Sequence, residues 1–254
     1  MADLYEYPEI YDERFSQGAH EAYKNHYRRI FAGKNVETIL DCSFGTGCLT
    51  FPLVELGYRV SGSDLSGPML ERGREKARAA GLSVSLSQCD FRELSRHFPP
   101  GFDCVMSTGS ALAHVDNADV CRTLREMDAL VRPGGYLYYD SRNWEAELEN
   151  KPRFQWAKPF IRPDGVRINC VQVWNYHKDD SIIIHICNGY EMDGKIFQTS
   201  EFEEELIPFP ISLACSVLEE LGYRAPEIRP CPWQEDRPVE ETGWYCLAAQ
   251  KPER

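Results

Sequence analysis

The chain has 254 residues, of which 43% are hydrophobic and 27% charged, and its formal net charge is -12. That length buries a full core as one domain with a modest insertion. The acidic balance, with no block of Lys and Arg, excludes nucleic acid and anionic membrane as expected partners, and no apolar run reaches the length of a membrane span.

The opening stretch "MADLYEYPEIYDERF" has neither a basic start nor an apolar h-region, so no secretory leader is expected. Tyr23, Tyr27, Ile30 and Phe31 then fall at helical spacing, which predicts an amphipathic helix and a helical cap over residues 1–35. From Thr38 strands and helices alternate. "TILDCS" reads as a strand, "LTFPLVELGY" as a helix with Leu49, Leu53 and Leu56 on one face, and "YRVSGSD" as a strand ending in Asp64. "SGPMLERGREKARAAG" has Ser66 as N-cap, Pro68 in the first turn and Gly81 as stop. "SVSLSQCD" and "FDCVMSTGS" make two more strands; a helix through Val120, Leu124, Met127 and Val131 is stopped by "RPGG", and "YLYYDSRN" is a fifth strand. Strands separated by helices of this length imply a largely parallel sheet.

The later part changes character. "RINCVQVWNYH" and "SIIIHICNGYE" predict an antiparallel hairpin joined at "KDD", followed by the extended "KIFQTSEFEEELIPF". "ISLACSVLEELGY" returns to helix and "GWYCLAAQK" closes as a strand. Residues 36–144 and 206–254 are therefore expected to form one α/β domain, with 145–205 inserted as an antiparallel lid. The ten cysteines form no C-x-x-C pair. Reduced thiols in a cytoplasmic protein are the expectation, with no disulfide framework and no metal site. The run "EFEEEL" reads as an exposed strand face.

Four strand ends carry polar groups: Asp41, Asp64, Asp90 and Ser107 to Ser110. In open α/β sheets, ligands bind beyond such ends. "ILDCSFGTG" is no P-loop, and a dinucleotide turn would need glycine where Thr50 stands. Asp41 would repel a pyrophosphate and favour a cationic neighbour. Asp64 can accept from both hydroxyls of a ribose, and Asp90 from an adenine amino group, with Leu65 or Phe91 over the ring. A ligand with ribose, adenine and a cationic tail in place of phosphates is S-adenosylmethionine. The plainer reading makes each aspartate a cap or turn former.

"ILDCSFGTG", "VSGSDLSGPML", "CDF" and "LVRPGGYLYYDSRN" resemble the successive motifs of class I S-adenosylmethionine-dependent methyltransferases, across roughly residues 38–144. The resemblance implies a Rossmann-like, mostly parallel seven-stranded sheet with helices on both faces. Ser43 and Phe44 stand where the usual loop has a small residue and a cysteine. It places Asp41, Ser43, Gly45, Thr46, Gly47, Asp64, Leu65, Met69, Cys89, Asp90, Phe91, Ser107, Thr108, Gly109 and Tyr11 around the cofactor. More narrowly, "STGSALAHVDN" and "DSRNWE" are similar to segments of glycine and glycine/sarcosine N-methyltransferases, with Ser110 at that family's Asn, His114 at its His, and Asp140, Arg142 and Asn143 in the second segment.

Methyl transfer from a sulfonium depends on positioning and desolvation. His114 is the candidate base and Ser110 its neighbour. Arg142 or Arg167 would hold an acceptor carboxylate, with Asn143 nearby and Tyr11, Trp174, Tyr176 and Tyr190 as an aromatic wall. The expected activity is methylation of a small molecule, chiefly an amine of glycine or sarcosine type. The alternatives are a small-molecule O-methyltransferase, a non-catalytic S-adenosylmethionine-binding protein, and, disfavoured by Thr50 and Asp41, a nicotinamide enzyme. A homo-oligomer is left open.

Overall fold

A computed structural model of the chain describes every residue except 1, 2, 233, 235 and 254. A short helix, α1 (Pro8–Asp12), and a longer one, α2 (Gln17–Ile30), lead into β1 (Thr38–Asp41), α3 (Phe51–Glu55), β2 (Arg59–Asp64), α4 (Gly67–Ala80) and β3 (Val84–Gln88). They are followed by β4 (Phe102–Ser107), α5 (Asn117–Leu130), β5 (Val131–Arg142) and α6 (Trp144–Asn150). Next come β6 (Phe154–Trp156), β7 (Phe160–Ile161), β8 (Arg167–Tyr176), β9 (Ile182–Met192) and β10 (Lys195–Leu206), and α7 (Ile211–Glu220), β11 (Arg224–Pro230) and β12 (Trp244–Gln250) close the chain.

Among the described residues the main sheet has seven strands in the order β11-β12-β5-β4-β1-β2-β3. The five from β5 to β3 are parallel, while β12 runs antiparallel to β5 and β11 antiparallel to β12. Successive residues face opposite sides, and both sides are covered. Leu40, Val105 and Leu137 pack with α5 and α7, whereas Ile39, Cys104 and Tyr138 pack with Tyr23, Tyr27 and Ile30 of α2. A parallel strand buried on both faces has to be apolar at consecutive positions, as "TILD" and "DCVM" are.

Local chemistry sets the helix ends. The Ser66 hydroxyl accepts from the Met69 N–H at 3.3 Å, and Gly81 closes α4 at φ +65°. The helix expected from Leu49 is shorter, five residues from Phe51, because the glycine loop and Pro52 delay its start. Val131 begins β5 rather than ending α5, and Pro133, Gly134 and Gly135 are absorbed in a register shift of that strand. Strand β11 has no clear sequence signature, since Pro226 and Pro230 interrupt its alternation.

The second sheet, in the order β10-β9-β8-β6, is antiparallel throughout. Its inner residues Trp174, Ile184, Ile186 and Phe202 join the same buried cluster as Leu40 and Val105. One core therefore reaches from the parallel sheet to the antiparallel one, and it brings β10 over the strand ends.

Candidate active site

The loop after β1 makes the floor of the site. Gly45 and Gly47 take φ of +57° and +79°, values that disfavour any side chain. Phe44 turns inward, 3% exposed, edge-on to Phe51 with ring centroids 5.6 Å apart. Asp41 is fully buried behind this loop. Its carboxylate accepts from the Thr50 hydroxyl, from the Thr108 hydroxyl at 3.0 Å and from the Ser43 N–H at 3.0 Å. Burial nevertheless pushes its pKa up to about 6.

Over the ends of β1, β2 and β4 lies a cavity of about 430 Å³. Asp64 faces it with each carboxylate oxygen taking one backbone donor, the Gly45 N–H at 2.8 Å and the Ser66 N–H at 2.9 Å. A carboxylate has about four acceptor sites, so Asp64 keeps capacity for two further hydroxyls. Leu65 and Phe91 flank it, Ser43, Thr108 and Gly109 line the opposite wall, and Tyr5 and Tyr11 cover it from the N-terminal segment.

That segment is tied across the loop by Asp12. Its carboxylate accepts from Thr46 Oγ1 at 2.6 Å, Lys76 Nζ at 2.8 Å, Arg72 Nε at 2.9 Å and Cys48 Sγ at 3.1 Å.

A smaller cavity of about 190 Å³ adjoins the first, sharing Tyr5, Tyr11, Leu49, Gly109 and His114, and extends to Arg14, Ser110, Arg142 and Glu204. Ser110 adopts φ +60°, and its N–H and that of Gly109 donate to Asp140 Oδ1 at 3.2 and 2.8 Å. Asp140 is 1% exposed, and burial raises its pKa to about 7. The Arg142 guanidinium lies between two indole rings, 4.9 Å from the centroid of Trp174 and 5.1 Å from that of Trp244. Among the described residues it makes no ion pair or hydrogen bond. Burial lowers its pKa, with Glu204 and Glu147 opposing.

Residues 39–135 match the family model described as "Methyltransferase domain". The chain thus carries a methyltransferase domain over those residues. It is 33% identical over 113 residues to a glycine/sarcosine N-methyltransferase of Halorhodospira halochloris, an alignment covering 44% of this chain and 42% of that one. The chain spans less than half the length of the first curated relatives it matches. Two solved structures share the fold: an S-adenosylmethionine-dependent methyltransferase from Clostridium acetobutylicum (TM-score 0.75, 16% identity, 92% of each chain) and an amino pentose methyltransferase from Micromonospora echinaspora (TM-score 0.74, 17% identity, 96% of each chain).

The methyltransferase domain brings most of the expected residues to one place. Tyr11, Ser43, Gly45, Thr46, Asp64, Leu65, Met69, Asp90, Phe91, Thr108, Gly109 and His114 line the larger cavity. Asp41 does not; it is expected to meet a cationic tail directly but stands behind Ser43 and Thr108. Gly47, Cys89 and Ser107 also lie off the wall, Gly47 tight against Phe51 and Ser107 fully buried with its hydroxyl 3.1 Å from that of Ser43. Asp90 reaches the cavity, yet Arg92 occupies its oxygens with contacts at 2.6 to 3.0 Å.

Of the residues expected to hold the acceptor, Arg142 lines the smaller cavity and Tyr11 lines both. Arg167 projects from the outer face of β8, half exposed and 3.9 Å from Glu191, because the inner face belongs to the even-numbered Ile168 and Trp174. Asn143 is a structural cap whose amide donates to Val239 O and Thr242 O at 3.0 Å. The Tyr176 hydroxyl donates to Pro152 O at 3.1 Å, and that of Tyr190 to Glu13 at 3.3 Å. The expected aromatic wall thus reduces to Tyr11 and the indole beneath Arg142.

Tyr5, Arg14 and Glu204 are among the lining residues that were not anticipated. "EFEEEL" is not a uniformly exposed face, since Glu204 alternates in register with buried Phe202 and Leu206 and is 11% exposed. The apolar residues two positions to either side were the signal.

Proposed function

We propose that this protein transfers a methyl group from S-adenosylmethionine to the nitrogen of a small amine that also bears a carboxylate, as glycine and sarcosine do. The observation that carries this reading is the pair of joined cavities, one holding Asp64 and the other Arg142, with Gly109 and His114 at their junction.

The free acceptor capacity of Asp64 suits the two ribose hydroxyls, and Leu65 and Phe91 offer apolar cover for the adenine. Ser43, Thr108 and Gly109 would meet the methionine end. Asp41 acts at one remove, orienting Ser43 and Thr108. Held by these residues, the cofactor would supply a methyl group on a sulfonium, the group transferred to the acceptor. In the smaller cavity the chain's task is to bind and orient the acceptor and exclude water.

Arg14 and Arg142 against Glu204 leave a surplus of one positive charge while His114 is neutral, which favours an anionic acceptor. The Arg142 fork, held by two indoles and without a hydrogen-bond or ion-pair partner among the described residues, matches a carboxylate in bidentate geometry. A glycine/sarcosine N-methyltransferase among the relatives agrees with that chemistry.

Titration calorimetry with S-adenosylhomocysteine and with NAD, on the wild type and on Asp64→Ala, tests the cofactor half. Binding of S-adenosylhomocysteine that weakens at least tenfold in the variant is expected. Binding of NAD alone would overturn it. A methyl-transfer screen over glycine, sarcosine, other amines and phenols tests the acceptor half, and turnover confined to phenols would overturn the amine reading.

A further inference from the structure

The junction of the two cavities contains a hydrogen-bond arrangement that the cofactor and acceptor contacts do not explain. Tyr5 Oη donates to Glu204 Oε1 at 2.7 Å and lies 3.0 Å from His114 Nε2, which is itself 3.4 Å from the same Glu204 oxygen. Tyr5 and Glu204 are both partly buried. Burial, then the charge of Glu204, raises the phenol's pKa, so Tyr5 keeps its proton. Burial alone would raise Glu204 as well, but the charge of a protonated His114, then Arg14 and the Tyr5 hydroxyl, outweigh it, and Arg14, Tyr5 and Arg142 still act on the carboxylate when the ring is neutral.

A phenol has one proton to give. Since Tyr5 gives it to Glu204, its oxygen must be the acceptor at the contact with His114. Nε2 therefore carries a hydrogen. Glu204, ionised, is acceptor-only, so the second contact of Nε2 demands the same. Both neighbours thus impose one tautomer on the neutral ring and leave the basic lone pair on Nδ1, which has no hydrogen-bond partner among the described residues. The ring stands edge-on to Tyr5, at 84° with centroids 5.4 Å apart, and lines both cavities.

We infer that Glu204 is a positioning residue: together with Tyr5 it holds His114 as the Nε2–H tautomer, so that Nδ1 takes the proton an acceptor ammonium must lose before it can be methylated. In that step the ammonium N–H bond breaks, its electron pair stays on the acceptor nitrogen, and a new N–H bond forms at Nδ1. The imidazolium so formed faces the Glu204 carboxylate. The charged groups around Glu204 are Arg14 from the N-terminal segment, Arg142 from β5 and His114 itself, and Asp64 also feels the charge of the histidine. This inference rests on the amine-methylating reading above, but the tautomer can be measured without an acceptor.

Full-length protein labelled with ¹⁵N-histidine gives the test. The His114 signals are assigned by their loss in His114→Asn and read at a pH where the ring is neutral. The wild type is expected to show the Nε2–H form. Glu204→Gln, isosteric and uncharged, is expected to admit the Nδ1–H form and to lower kcat at least tenfold, with the Kd for S-adenosylhomocysteine changed less than twofold. Tyr5→Phe, a smaller change, should shift the tautomers in the same direction. A wild-type Nδ1–H form, or an unchanged tautomer and kcat in both variants, would overturn the role of Glu204. A wild type that methylates no amine would instead overturn the reading beneath it, with the tautomer still deciding where the hydrogen sits.

Discussion

Phe44 fills the space above Gly62. A Cβ built on that glycine would stand 2.7 Å from Phe44 Cγ and 2.8 Å from a methyl of Leu86. The bulky residue in the glycine loop is thus accommodated by the missing side chains of Gly62 on β2 and Gly73 on α4, where a Cβ would come within 2.9 Å of the same ring. Gly62→Ala is expected to cost about 1–3 kcal/mol through overpacking. Because the tightest conflict is with Phe44, a smaller residue there should relieve part of it. Denaturant midpoints for Gly62→Ala, Phe44→Cys and the double variant measure the coupling, and strictly additive losses would refute the pairing.

Arg142 offers a second check, on activity. Lysine keeps the charge but can neither lie flat between Trp174 and Trp244 nor bind a carboxylate with two parallel bonds. Arg142→Lys is expected to raise the KM for a carboxylate-bearing amine by about 10- to 100-fold, the equivalent of roughly 1.4–2.8 kcal/mol. The KM for S-adenosylmethionine should move little. Steady-state kinetics on the acceptor found by the screen decides this, and an unchanged acceptor KM would remove Arg142 from binding.

Local pattern made much of this legible. The glycine loop, the acidic strand ends and the alternation of strands and helices depend on neighbours in sequence, and each has its expected place in the main sheet. The acceptor side was harder because residues far apart meet there: Tyr5 and Arg14 precede β1, whereas Glu204 comes from β10. Strand parity held part of the answer. Trp174 is buried, so odd-numbered Arg167 had to face outward, and Glu204 shares the parity of Phe202 and Leu206. What parity cannot supply is the path of residues 3–15 over the strand ends. That path is fixed by tertiary contacts such as the one Asp12 makes with α4.

Those contacts lead to a third prediction. Asp12 gathers Thr46, Arg72, Lys76 and Cys48, and although burial opposes ionisation, the bonds from Lys76 and Thr46 lower its pKa. Asp12→Ala leaves Lys76 without its carboxylate and frees the segment that carries Tyr5 and Tyr11 over the larger cavity. Faster amide exchange over residues 4–15 and a dissociation rate for S-adenosylhomocysteine about tenfold higher are expected, the latter corresponding to about 1.4 kcal/mol. Unchanged exchange in that segment would show that Asp12 does not hold it.

The last prediction concerns pH and the carboxylate beneath the acceptor turn. Asp140 has an ordinary pKa of 3.8 when unfolded and about 7 when folded. A raised folded pKa means that the native state binds the proton more tightly, so stability is fullest below about pH 4 for this group and is lost as pH rises through 7. Between pH 6 and 8 the unfolded carboxyl is already ionised while the native one releases its proton, a loss of about 1.4 kcal/mol. Asp41, at about 6, contributes in the same direction one unit lower. Asp140→Asn keeps an oxygen to accept from the Gly109 and Ser110 N–H groups but cannot ionise. Urea unfolding of wild type and variant at pH 6 and pH 8 isolates the term: the wild type should lose about 1.4 kcal/mol more than the variant across that interval. Equal losses in the two proteins would show that Asp140 is already ionised in the native state at pH 6, and with it that the Gly109–Ser110 turn rests on a charged carboxylate.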